Sequence, residues 1–171
     1  MEVDMNHTFE TIYEKESDAI FRFCLVRVSS REQSLDITQE TFLRLWQSLK
    51  KGEDIQNSRA FLFTIAHRLV IDWYRKKKSL SWDKIFSKDD KEIDVVDEKT
   101  TEINLSTSAE GRYLMDKINE LSPSYRDPVY LRYGEDLSPP EIGEILGIST
   151  NAASVRINRG LEELRKKYLS R

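Results

Sequence analysis

One cysteine, two histidines, four prolines and six glycines are all that a chain of 171 residues contains of these types. A lone Cys24 forms no internal disulfide. It lies in the apolar run AIFRFCLV and is expected to be a small buried hydrophobe in a reducing compartment. One Cys and two His offer no metal-ligand spacing. Few Gly and Pro means few breakers and turn-formers, which favours helices over a sheet with many tight turns. No run of about 18 apolar residues is present, so no membrane span is expected. The N-terminal MEVDMNHTFE is acidic and has no apolar stretch, unlike a secretory signal. The chain also lacks a Gly-rich phosphate loop, a nucleophile elbow and a paired His set. We therefore expect a cytoplasmic, all-α protein that is not an enzyme and uses no cofactor or metal.

The formal net charge is −3, with one residue in three charged. That total conceals a division. Residues 1–78 carry net +1, residues 79–110 net −5 and residues 111–171 net +1. Within the first segment, residues 59–78 hold 6 basic residues against one acid. Local fields rather than total charge steer binding to phosphates, so nucleic acid stays open as a partner.

What is present is helical periodicity. Phe9, Ile12, Tyr13, Ala19, Ile20, Phe23, Cys24 and Val28 recur at helical spacing. They predict one or two helices, closed by a polar turn at residues 29–34. Residues 35–50 predict an amphipathic helix with Thr38, Phe42, Leu45, Trp46 and Leu49 facing a core. Asp36, Gln39, Glu40, Leu43 and Gln47 fall on the opposite stripe. An acidic and amide stripe around a leucine suits docking to a basic helix, and a solvated face shows the same pattern. Residues 51–58, KGEDIQNS, predict a polar loop.

A helix over 59–78 is expected to bury Phe61, Leu62, Ile65, Ala66, Leu69 and Trp73 and to end in the run RKKK. His67, Arg68, Tyr74, Arg75 and Lys78 lie outside that face, flanked by Lys76 and Lys77. Basic groups beside aromatics suit single-stranded DNA, where phosphates take the charge and rings stack on bases. Cations at a helix C-terminus also suit the macrodipole.

Residues 79–108 are acidic and rich in Ser, Thr, Asp and Lys, and are expected to form a linker. The apolar residues Trp82 to Phe86 are compatible with a short helix within it. Helices resume at about 109, with one starting at Pro123. The most specific pattern is SPPEIGEILGISTNAASVRINRGLEELRKKYL at 138–169. Ser138 and Glu141 make an S-x-x-E capping box and Pro139 suits the first turn. Ile142, Ile145 and Leu146 form a buried face. Gly143 is small where a second helix crosses closely, and Gly147 suits a left-handed helix stop. Ser149 caps a second helix with Ala153, Ile157, Leu161 and Leu164 inward. This is the pattern of a helix-turn-helix, whose second helix enters a DNA major groove. An ordinary helical hairpin shares much of it.

The order D-I-T-Q-E-T-F-L-R-L-W, R-A-F-L-F-T-I-A-H-R-L-V-I-D-W-Y-R, an acidic linker, L-S-P-S-Y-R-D-P-V-Y-L-R-Y and E-I-G-E-I-L-G-I-S resembles the extracytoplasmic-function group of bacterial sigma-70 factors. The resemblance runs from about Phe9 to Leu169. It implies region 2 at 1–78, a linker at 79–108 and region 4 at 109–171. It implies that Asp36, Gln39 and Glu40, with Leu43 and Gln47 on the same stripe, dock on the clamp helices of the largest subunit of core RNA polymerase. The loop with Asp54, Gln56 and Asn57 would capture a flipped base of the −10 element. His67, Arg68, Tyr74, Arg75, Lys76 and Lys78 would hold the melted non-template strand. The second helix of 138–169 would read the −35 duplex, with Thr150, Asn151, Ser154, Val155 and Asn158 at base edges and Arg156 and Arg159 on phosphates. An anti-sigma factor is a further implied partner.

Two departures stand out. His67-Arg68 replaces the family's usual Arg-Asn. Ala152-Ala153-Ser154-Val155-Arg156-Ile157 stands where T-V-K-S-R-L is common, so Ser154 replaces a basic contact. The alternative function is a dimeric helix-turn-helix regulator that acts without joining polymerase.

Overall fold

A computed structural model of the protein describes residues 2–86 and 109–169. The described residues form seven α-helices and no strands. The chain divides into two compact units, Met1–Ile103 and Asn104–Arg171.

The N-terminal unit packs three helices against one another: α1 (Glu2–Val28), α2 (Arg31–Lys50) and α3 (Ser58–Phe86). α1 is one uninterrupted helix whose buried stripe is Glu16, Ala19, Ile20, Phe23, Cys24, Leu25 and Val28. The polar turn expected over 29–34 shrinks to Ser29 and Ser30. Ser29 takes φ 53°, and the Ser30 hydroxyl accepts the Gln33 N–H at 3.4 Å. Ser34 belongs to the helix because its hydroxyl is buried and donates to the Ser30 carbonyl at 2.6 Å. Thr38 and Thr41 repeat this device, donating to the Ser34 and Ile37 carbonyls, both at 2.7 Å. Buried hydroxyls on α2 are thus satisfied within the helix. Phe23 meets Phe63 edge-on at 5.5 Å, within a core that includes Ile20, Leu45 and Leu62.

α3 departs from expectation twice. Its buried residues are Ala60, Leu62, Phe63, Ile65, Ala66 and Val70, whereas Phe61, Leu69 and Trp73 are half-buried. The helix also continues past Lys78 to Phe86. Nothing in 59–86 breaks it, since that stretch has no Gly or Pro. The rest of the expected linker, residues 87–108, lies outside the described residues.

The C-terminal unit comprises α4 (Ala109–Asn119), α5 (Pro123–Tyr133), α6 (Pro139–Leu146) and α7 (Thr150–Leu169). Its core gathers Ile118, Leu121, Val129, Leu131, Leu137, Ile142, Ile145, Ala153 and Ile157. Buried Glu135 accepts the Tyr130 hydroxyl at 2.7 Å, tying the α5–α6 connection to α5. Gly160 lies where α7 crosses α5: a Cβ there would stand 2.5 Å from Val129 Cγ2 and 3.2 Å from Tyr125 Cβ. The close helix crossing thus falls at Gly160. Gly143 instead faces the backbone of the α6–α7 turn, where a Cβ would meet the Ile148 carbonyl oxygen at 2.8 Å.

Candidate nucleic-acid and partner interfaces

The α6–α7 turn is built by local rules. The backbone N–H and hydroxyl of Ser138 both donate to Glu141 Oε2 at 2.7 Å, fixing the start of α6. Gly147 ends it at φ 67°, a conformation that penalises any Cβ. The Ile148 N–H reaches back to the Gly143 carbonyl at 2.9 Å. The Ser149 hydroxyl accepts the Ala152 N–H at 3.0 Å and caps α7. At α7's far side, Glu163 accepts the Ser122 N–H at 2.9 Å, joining α7 to the start of α5. These ties fix which face of α7 looks outward.

Ala153, Ile157 and Gly160 define the buried side of α7. Helical spacing puts Asn151, Val155, Asn158 and Arg159 opposite it, and all four are exposed. Thr150 and Ser154 lie to one side of this face and Arg156 to the other; Thr150 is exposed, whereas Ser154 and Arg156 are half-buried at its edges, so the predicted set spans about two thirds of the helix circumference and only Asn151, Val155, Asn158 and Arg159 share its outer face. Glu162 is a residue that the helix-turn-helix pattern does not single out. It is exposed, seven residues after Val155 and hence on the same face. An acid there repels phosphate, which confines a DNA-compatible surface to the first turns of α7.

On α2, Asp36, Gln39, Leu43 and Gln47 are exposed and Glu40 is partly so. Glu40 pairs with Arg44 at 2.8 Å, which leaves Asp36 as the more accessible acid of the stripe. Leu43 is 49% exposed. Leu35, 40% exposed, extends the face by one turn; its i−4 relation to Gln39 and i−8 relation to Leu43 is the signal that finds it.

The loop between α2 and α3 starts with Gly52 at φ 74° and ends at Asn57, whose Oδ1 accepts the Ala60 N–H at 3.0 Å. Asn57 is therefore a cap as well as a candidate reader. Asp54 and Gln56 are exposed and joined, Gln56 Nε2 donating to Asp54 Oδ2 at 2.5 Å. Along α3, Arg68, Tyr74, Arg75, Lys76 and Lys78 are all exposed. Tyr74 is 48% exposed, and its hydroxyl donates to the Arg27 carbonyl, so its ring is held from one end. His67 is half-buried, 6.4 Å from the Phe23 ring, and is the least accessible of the predicted strand contacts on α3. Lys77 lies over Trp73 at 5.0 Å. Arg59, one of the six basic residues of this segment, is turned inward to Glu16. Cys24 is inert: burial raises its thiol pKa to about 12.

Family comparison fits this layout. Residues 12–80 match Sigma-70 region 2, and residues 111–164 match Sigma-70, region 4. The chain is 30% identical to RNA polymerase sigma factor SigV of Bacillus subtilis (strain 168) over 149 residues, 85% of this chain and 81% of that protein. The chain belongs to the extracytoplasmic-function group of sigma-70 factors. A second relative, ECF RNA polymerase sigma factor SigW of the same organism, is 28% identical over 169 residues, 93% of this chain and 88% of its own. Two solved structures share the fold of this sigma factor. RpoE of Bartonella quintana, in complex with the anti-sigma factor NepR, has a TM-score of 0.69 at 19% identity, covering 93% of this chain and 95% of that one. CnrH, in complex with the cytosolic domain of CnrY, has a TM-score of 0.65 at 18% identity, covering 96% and 90%. No described helix of this sigma factor is long and apolar enough to cross a membrane.

Proposed function

We propose that this sigma factor joins bacterial core RNA polymerase through α2, captures opened −10 DNA with the 51–57 loop and α3, and reads −35 duplex with α7. The observation that carries this reading is the pairing, in one chain matched to regions 2 and 4, of a basic and aromatic helix with an outward polar recognition helix. On α2, an acidic and amide face around Leu43 suits a helical partner with basic side chains. On α3, Arg68, Arg75, Lys76 and Lys78 supply phosphate contacts. Tyr74, anchored at its hydroxyl, offers a pre-set ring for stacking. On α7, Asn151 and Asn158 suit adenine edges and Val155 suits a thymine methyl, while Arg156 and Arg159 suit phosphate.

Each grip alone is weak. Joined through one polymerase, the second grip forms at high effective concentration, and captured bases leave the duplex equilibrium. The domain limits 1–78, 79–108 and 109–171 follow this division of labour. The chemistry of RNA synthesis belongs to the polymerase, consistent with a family whose members are not enzymes. Anti-sigma control is part of the proposal, supported by the complex of RpoE with the anti-sigma factor NepR. The family match does not favour a dimeric regulator.

Reconstitution tests the reading. Purified protein mixed with core polymerase and a pool of genomic templates yields transcripts from discrete start sites, while the protein alone leaves little footprint. Strong footprints by the protein alone, with no directed transcripts, would favour the dimeric regulator and reject this function.

A further inference from the structure

Glu16 is a carboxylate with 2% of its surface exposed, in the middle of α1, and it pairs with the Arg59 guanidinium. Arg59 is the second residue of α3 and lies 5.2 Å over the Phe63 ring. Both placements break local rules. A cation in the first turn opposes the helix dipole, and that turn of α3 contains no acid. A carboxylate in a core is tolerated only when paired. Each irregularity compensates the other across 43 residues of sequence. Local rules broken at a position are expected at functional or strained sites.

The pair sits at the junction where the 51–57 loop becomes α3. Asn57 is one tie there, through the Ala60 N–H at 3.0 Å. At the other end the loop leaves α2 through the Lys51 and Glu53 N–H groups, which reach the Gln47 and Ser48 carbonyls at 3.1 Å. Asp54 and Gln56 are suspended between these anchors. We infer that Glu16, acting through Arg59, is a positioning residue that sets the place of Asp54 and Gln56 for base capture. The inference rests on the proposed role of the loop. Neither member of the pair touches DNA in this account, since the Arg59 guanidinium is engaged by Glu16.

The test uses full-length protein, core polymerase and a promoter library randomised in both the melted −10 segment and the −35 segment. Glu16→Gln keeps size and hydrogen-bonding capacity but removes the charge. It should lower discrimination at the loop-contacted −10 base about tenfold, leaving −35 preferences and polymerase co-purification within about twofold. Arg59→Lys keeps a cation and should retain most of the −10 discrimination. Unchanged −10 discrimination in Glu16→Gln, or an equal decline of all three readouts, overturns the inference. Should that variant fail to fold by circular dichroism, the Glu16→Met/Arg59→Met pair replaces it: folded protein with blurred −10 preference supports the role, and folded protein with intact preference overturns it. Gln56→Ala separates the two claims. If it leaves the −10 preferences untouched, the loop reading itself fails and the positioning role with it.

Discussion

In the C-terminal unit, the turn that starts the outward-facing helix is built from contacts between near neighbours, and a hydrogen bond from Ser122 to Glu163 ties the helix further along. Ser138 meets Glu141, Gly143 meets Ile148, and Ser149 caps three residues ahead. In the N-terminal unit the comparable ties span the chain. Arg59 reaches Glu16 across 43 positions, and Tyr74 reaches Arg27 across 47. The difference separates two ways of presenting a surface. The turn of the helix-turn-helix is specified by its own sequence, while α5 seats the rest of α7 through Ser122 and the Gly160 crossing. The loop and α3 of the first unit are tied to α1, which contributes none of the proposed contacts.

Replacing Asp36 and Glu40 together by Arg presents two cations to a basic partner. Like-charge juxtaposition across an interface costs several kcal/mol. Association with core polymerase should fall at least about 100-fold in pull-down titrations, with helix content unchanged, because both side chains lie outside the core. Retained association would remove α2 as the docking surface.

Gly160→Ala tests the closest packing contact between α7 and α5. The added methyl meets Val129 and the Tyr125 Cβ, and overpacking of this kind costs about 1–3 kcal/mol, reduced by the higher helix propensity of Ala. The denaturation midpoint should drop, and Val129→Ala in the same chain should recover part of the loss. A midpoint that rises in the single variant would show that α5 and α7 have room to separate.

Asn151→Ala and Arg159→Ala divide base reading from phosphate grip. The first should change preference at one or two −35 positions by about 1–3 kcal/mol. The second should weaken all promoters about evenly and reduce the salt dependence of binding. Matching profiles for the two variants would reassign the face.

The smallest effect concerns Glu120, near the end of α4, which Lys167, the Tyr168 hydroxyl and Lys117 hold at a pKa of about 2 against an ordinary 4.5. The folded value lies below the unfolded one. Its stabilisation is therefore complete above about pH 4.5 and is lost as pH falls from 4.5 toward 2. The cluster is exposed and screened, so the change is slight. NMR titration of the Glu120 carboxyl should show the low value, and Glu120→Gln should flatten the melting temperature across that window.

How far the sequence discloses all this follows the same division. The capping box, the Gly147 stop and the Ser149 cap are visible in 138–169 because each acts within three or four residues. The phase of α3 is not. Phe61, Leu62, Phe63, Ile65, Ala66, Leu69, Val70, Ile71 and Trp73 cover most of the helix circumference, so periodicity points to no single stripe. Phe63 and Val70 are buried because α1 and α2 lie on that side. Gly160 looks like an ordinary weak helix residue until α5 is placed against it. Glu16 looks like a solvated acid among Glu14, Lys15 and Asp18 until Arg59 is placed above it. On α2 the exposed face is legible because apolar and polar residues alternate with clear helical spacing. The docking role proposed for it rests on the family rather than on the spacing.

One library experiment bears most directly on the claim that two helical units hold a promoter at separate places. Transcripts from templates randomised across both elements are sequenced for the wild type, Asn151→Ala and Arg68→Ala, each with core polymerase. The account predicts that Asn151→Ala alters preferences only in the −35 block and Arg68→Ala lowers output through the melted −10 block alone. If either variant shifts both blocks together, the two grips are not separate and the account is contradicted.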